Sequence, residues 1–433
     1  TNDSIDGLSI NGLGNTTGID KVDYSSSTTA QSVVVNGSTI TVTASSKTDT
    51  LTNIEHLKTG SGNDNYILQS VVGIDTIDDS DGIDSLSVTG TNVDLSTVTL
   101  LNFEEILATN GQIVTISATD IDDSSMILHT QGTGQIIVKA TSTISDHDFG
   151  AVTVNNEGGT GSIKLQVNAN INLTTRDLND IFDEFVVNTG TLTLTEAQVI
   201  GSNTPTITGA GSAVVEVSTT TSNTNFSSIL ALTTPANETV QFTGNSTFTG
   251  DFSNSKIVVN SGVTLTTTFN KLDGKISNLS GAGNVTLNDT NVDASNVNAV
   301  AGVISGTVTA IVTVGTAASL NSTLTNAIAT DALTITINNT STAASDLNGL
   351  DTKTSVAVNA TAITALTGDA TAVKTALASS GITTVTNSSL AVNVNSGTAS
   401  VADINTINSD SATGIVTATV TSGAASVLKS LTT

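Results

Sequence analysis

A short unit that recurs along the chain constrains the fold more than any other feature. In the last third it is a strand, a turn of small residues and two aliphatic anchors three or four positions apart. Copies are Ala294-Ser295-Asn296-Val297-Asn298-Ala299-Val300, Ala318-Ser319-Leu320 leading to Leu324, and Ala344-Ser345-Asp346-Leu347-Asn348-Gly349-Leu350. Ala402-Asp403-Ile404-Asn405-Thr406-Ile407 and Ser426-Val427-Leu428-Lys429-Ser430-Leu431 repeat it. First anchors step by 23 and 27 residues from Val297 to Leu320 to Leu347, and by 24 from Ile404 to Leu428. The interval between Leu347 and Ile404 holds a shorter-spaced copy at Ile363 and Leu366 and another near Val373 and Leu377. A unit this short cannot bury its own apolar face, so it must stack on copies of itself. Aliphatic residues at i and i+3 or i+4 after Ser, Thr or Asp predict a single capped helical turn that drops two side chains onto the core. A step in the low-to-mid twenties suits one coil of a parallel β-solenoid.

The first half repeats a different cluster: Asn53-Ile54-Glu55-His56-Leu57, Asn102-Phe103-Glu104-Glu105-Ile106 and, more loosely, Phe182-Asp183-Glu184-Phe185. The last two lead into the alternating stretches Ile113-Val114-Thr115-Ile116-Ser117 and Leu192-Thr193-Leu194-Thr195, so one coil reads as strand, acidic turn, strand. The packing material is small. Thr, Val and Ile favour strands, Asn, Gly and Ser favour turns, and the chain has no Trp, two Tyr and nine Phe. The expected fold is therefore all-β, a right-handed parallel β-solenoid with short helical turns in its C-terminal coils. Three regions are expected: an acidic solenoid over 1–200, degenerate coils or a β-sandwich over 201–290, and strand-turn repeats over 291–433.

Charge narrows the function. Against 12 Lys and Arg stand 38 Asp and Glu, a formal net charge of −26. Such a surplus repels phosphate backbones and anionic lipid, and the single Arg, Arg176, cannot furnish a basic stripe, which argues against nucleic-acid partners. The absence of Cys removes disulfides, thiolate catalysis and sulfur-ligated zinc. No apolar run approaches the roughly 20 residues of a transmembrane helix. The chain starts at Thr1 with no signal peptide, which reads as a processed or partial secreted chain.

The acidic residues are uneven: 26 of the 38 precede residue 200, where six of the basic residues lie. Within them Gly-x-Asp-x-(aliphatic or Tyr) recurs as Gly18-Ile19-Asp20-Lys21-Val22, Gly62-Asn63-Asp64-Asn65-Tyr66, Gly73-Ile74-Asp75-Thr76-Ile77 and Gly82-Ile83-Asp84-Ser85-Leu86. The last two are nine residues apart. Asp75, Asp78, Asp79, Asp81 and Asp84 crowd five carboxylates into ten residues, which repel one another unless a cation screens them.

On these residues the segment 18–90 resembles the edge of a hemolysin-type calcium-binding (RTX) repeat region of secreted bacterial proteins. Thr59-Gly60-Ser61-Gly62-Asn63-Asp64-Asn65-Tyr66-Ile67 matches the nonapeptide apart from Thr59 at its first Gly, and Asp49-Thr50-Leu51-Thr52-Asn53-Ile54-Glu55 is similar to the segments that flank such repeats. The resemblance implies calcium as cofactor, with Asp64, Asp75, Asp78, Asp79, Asp81 and Asp84 as ligand candidates. It also implies an extracellular place on a bacterial cell surface. The expected role is structural, in an S-layer or comparable sheath that self-associates into a lattice or filament, with a cell-surface glycan as a further partner. The stalk of a large RTX adhesin is the alternative. A β-helix polysaccharide-active enzyme is a weaker third, because Asp146-His147-Asp148, Glu104-Glu105 and Asp183-Glu184 offer acid-base groups without a nucleophile elbow or an HExxH motif.

Overall fold

The computed structural model describes residues 5–12, 18–122, 124–141, 148–178, 180–201, 203–384, 390–410, 414–423 and 425–432. The protein is rich in strands, which pair in many parallel sheets. It divides into two compact units, Thr1–Glu216 with Asn225–Thr239, and Val217–Thr224 with Val240–Thr433. Among the described residues no helix is long and apolar enough to cross a membrane.

In the first unit one ladder runs from Asn65–Val71 through Ser85–Val88, Glu105–Ala108 and Ile127–Gln131 to Thr153–Glu157. Every step is parallel, with Asn65, Ser85, Glu105, Ile127 and Thr153 in one register. The chain returns to the same sheet after 20 to 26 residues, a crossover that parallel pairing demands. A second parallel ladder joins Ile113–Ser117, Gln135–Ala140 and Ser162–Val167. Burial alternates strictly along Gln135–Ala140 and Ser162–Val167, with Ile136, Val138, Ile163 and Leu165 inward. An antiparallel meander, Ser32–Gly37, Thr39–Ala44 and Lys47–Thr52, departs from the parallel rule at the start of the unit. Its turns are local hairpins, which need no crossover.

The acidic cluster of the sequence repeat has a mechanical part in this stacking. In each copy a carboxylate accepts the backbone N–H of the preceding coil at the point where a strand begins. Glu55 takes the Asp20 N–H at 2.7 Å, Glu104 the Asp84 N–H at 2.8 Å and Asp183 the Ile163 N–H at 2.8 Å. Asn53 and Asn102 precede the first two of these acids in the left-handed region, at φ 53° and 64°. Asparagine tolerates that conformation better than most residues, which explains its place in both copies.

In the second unit Ser246–Phe248, Thr264–Thr267, Asn284–Leu287, Val308–Ile311 and Ala332–Thr334 form a parallel ladder. Over 201–290 the pairing is parallel within each unit: Ile207 lies beside Leu230 in the first and Leu265 beside Val285 in the second. Phe248 stacks on Phe252 at 4.1 Å and meets Phe242 edge-on at 5.9 Å, so the aromatic residues of this stretch fill its core. The anchors at Val297, Leu320, Leu347, Val373 and Ile404 lie on helices longer than one turn: Ala294–Ala301, Ala317–Thr323, Ala344–Asp351, Ala370–Ala378 and Val401–Asp410. The expected copies depart from this at two places: Leu366 lies on the strand Ala365–Asp369, and Val427 and Leu428 are exposed on the four-residue helix Ala425–Leu428. Asp369 caps one by accepting the Ala372 N–H at 2.8 Å. Seven to ten residues form where a single turn was expected, because the aliphatic pairs of these segments are buried against the sheets and packing rather than propensity holds the extra turn. Leu347, Leu350 and Ile407 are fully buried and Ile404 nearly so.

Candidate metal centre

Two six-residue turns, 59–64 and 79–84, stack on each other. The strands before them, His56–Lys58 and Thr76–Asp78, pair in register, and so do the strands after them, with Asn65 opposite Ser85. Residues twenty apart therefore share a column: Thr59 with Asp79, Gly62 with Gly82, Asp64 with Asp84. Gly82 adopts φ 149°, and a Cβ there would lie 2.5 Å from the Gly62 carbonyl oxygen, so close stacking of the turns requires glycine.

One carboxylate oxygen from each of Asp64, Asp79 and Asp84 lies within 4.8 Å of the others, and all three residues are buried. Each carboxylate is held by one oxygen. Asp64 Oδ1 accepts the Gln31 N–H at 2.7 Å, Asp84 Oδ1 the Asp64 N–H at 2.6 Å and Asp79 Oδ1 the Ser80 N–H at 2.8 Å. The Oδ2 atoms of all three are buried without a hydrogen-bond partner. Burial pushes the Asp79 carboxyl up to about 8, with repulsion from Asp64 and Asp84 adding to it. Burial likewise takes Asp64 up to about 6 and raises Asp84. Glu104, one coil further along the Asp64 and Asp84 column, is also raised by burial.

Three buried carboxylates with an orphaned oxygen each can be relieved by protons or by a cation. The donor set is all oxygen, which suits hard dications such as calcium and magnesium rather than zinc or copper. The residues present thus fit the cofactor that the repeat resemblance implies. A bound dication would supply charge neutralisation and a cross-link between two turns.

The other expected ligands stand apart from this group. Asp78 forms a salt bridge with Lys58 at 2.7 Å and accepts from Asn102 Nδ2 at 3.0 Å. Asp75 and Asp81 are exposed. Spacing of nine places Asp75 and Asp84 in different turns of one coil, whereas spacing of twenty brings Asp64 and Asp84 together. Gln31 was not marked by any motif; only the strand register reveals that it shares their column. Among the acid-base candidates, Glu105 contacts His129 Nδ1 at 2.6 Å, and Glu157 lies 3.4 Å from its other ring nitrogen. Burial works to raise the Glu184 carboxyl, yet Lys164 at 2.8 Å and the Thr208 hydroxyl hold it below its usual value. Asp146 and His147 lie outside the described residues.

No known protein family matches the chain, and no curated protein or solved structure matches it either.

Proposed function

We propose that the chain is a calcium-stabilised parallel β-solenoid with a structural role, part of an S-layer or comparable extracellular sheath of a bacterium. The observation that carries this reading is the set of three buried, unpartnered Oδ2 atoms of Asp64, Asp79 and Asp84. Turns that bury three mutually repelling carboxylates are stable only when something neutralises them, and extracellular modules bind calcium through such ligands at roughly millimolar to tenth-millimolar levels. The repeated return of the chain to the same sheet supports the solenoid. Its crossovers are right-handed by the general rule for parallel strands. A stack of coils held by neighbour contacts serves as a scaffold, because stability is distributed along the array.

The test is calcium titration of the full chain by calorimetry, followed by light scattering and electron microscopy. Calcium binding together with sheets or filaments supports the sheath. Calcium binding by a chain that stays monodisperse transfers the reading to the stalk of an adhesin. Failure to bind any dication removes the metal centre.

A further inference from the structure

One coil before Asp64 the same turn position is filled by Gln31. The register of Ser32 with Asn65 and of Asn65 with Ser85 puts Gln31, Asp64 and Asp84 in one column, each directly before its strand. Gln31 is 2% exposed, and neither its amide oxygen nor its amide nitrogen has a hydrogen-bond partner. Its main-chain N–H donates to Asp64 Oδ1, so the Asp64 carboxylate reaches back to the Gln31 coil. A buried primary amide with both ends unsatisfied is costly, and it stands next in the column to a carboxylate that is unsatisfied as well. A cation at this end of the column would give these orphaned oxygens a common partner.

We infer that Gln31 supplies a neutral amide oxygen to the cation held by Asp64, Asp79 and Asp84 and favours calcium over magnesium there. The inference rests on the cation reading of the centre. Calcium takes six to eight oxygen ligands in flexible geometry and accepts side-chain amide carbonyls, whereas magnesium keeps its waters and demands a near-ideal octahedron. Three carboxylates already exceed the charge of one dication. A neutral fourth oxygen therefore raises the coordination number without adding repulsion. Thr59, in register with Asp79 and fully buried, is the corresponding neutral residue on the opposite column. Together Gln31 and Thr59 end the acidic site on the side of the preceding coil.

The test uses the full chain with Gln31→Met and Gln31→Glu, calorimetry with calcium chloride and with magnesium chloride, and melting in EGTA. Gln31→Met should weaken calcium binding about ten-fold or more and narrow the preference over magnesium. In EGTA the same variant should melt higher than wild type, because the unsatisfied amide is gone. A purely structural role for Gln31 moves the melting temperature without moving the calcium affinity. Gln31→Glu should melt lower in EGTA yet bind calcium at least as tightly as wild type, since a carboxylate oxygen replaces the amide oxygen. Unchanged calcium affinity in Gln31→Met overturns the inference and leaves the centre standing. A wild-type chain that binds no dication overturns the reading beneath it. Should Gln31→Met fail to fold, Gln31→Glu decides: retained or tighter binding supports the ligand role, and a ten-fold loss overturns it.

Discussion

Replacing Asp79 by asparagine should stabilise the cation-free protein and weaken its response to calcium. Asp79 is fully buried, and its carboxyl is pushed from 3.8 up to about 8 by burial and by the charges of Asp64 and Asp84. An acid whose folded value lies above its unfolded one takes up a proton on folding. Stability from such a group is fully present below the unfolded value and is lost as pH rises towards the folded one. Without calcium, the protein should therefore lose stability between about pH 4 and pH 8. The full displacement corresponds to about 6 kcal/mol, of which about 3 kcal/mol belongs to Asp79 alone once its coupling to Asp64 and Asp84 is shared among the three. An amide side chain in this place resembles the protonated acid at every pH, so Asp79→Asn in EGTA should flatten this slope and gain about 3 kcal/mol near pH 8. Calcium reverses the sign for wild type, since its ligands bind it deprotonated and affinity grows with pH. At 100 times its dissociation constant it adds about 2.7 kcal/mol. Thermal melts from pH 5 to 8.5, with calcium and with EGTA, read all of these effects, and hydrogen exchange over 55–90 localises them. If Asp79→Asn destabilises the EGTA form at pH 8, or gains as much stability from calcium as wild type, the electrostatic reasoning is wrong.

Leu347→Ala, which empties a fully buried position, should cost about 2–4 kcal/mol and raise hydrogen exchange in its own and adjacent coils rather than throughout the chain. Asp183→Ala removes the acceptor of the Ile163 N–H and should cost about 1–3 kcal/mol, read as faster exchange at Ile163, one coil away. Burial works to raise Asp49, yet the N–H groups of Leu8, Gly7 and Asp6 and the Tyr24 hydroxyl hold it below its usual value. That stability is present above pH 3.8 and lost as pH falls through the lower folded value, so the strand Ser9–Asn11 should loosen first on acidification, as exchange at Ile10 would report. At about 0.01 M salt, where repulsion reaches roughly 30 Å, the net charge of −26 should keep chains apart until calcium is added, and sodium chloride at matched ionic strength should not replace it in light scattering.

Much of the strand pattern was legible because alternation and burial coincide. Leu192 and Leu194 point inward and Thr191, Thr193 and Thr195 outward, as the text of that stretch predicts. The paired anchors were legible for the same reason, since any helical turn of that spacing presents Leu347 and Leu350 on one side. The length of those helices was not, because a repeat marks where a cap stands but not how far packing carries the helix beyond it. At the centre, sequence singled out six aspartates and structure brings together three. The difference is register. Composition records that Asp75, Asp78, Asp79, Asp81 and Asp84 are close along the chain, but strand pairing decides which of them share a turn and which face solvent. Asp78 shows the competing outcome: it stands next to Asp79 in sequence, yet Lys58, its register partner twenty residues earlier, neutralises it within the protein. Asp79 has Thr59 at the corresponding place, which brings it no positive charge, so burial and its acidic neighbours raise it instead. A twenty-residue offset applied to the sequence would have found both facts, along with Gln31 only after the 33-residue step across the antiparallel meander was known. That meander interrupts the period at the point where the acidic column begins, which is why the neutral residue just before its first strand carries no motif.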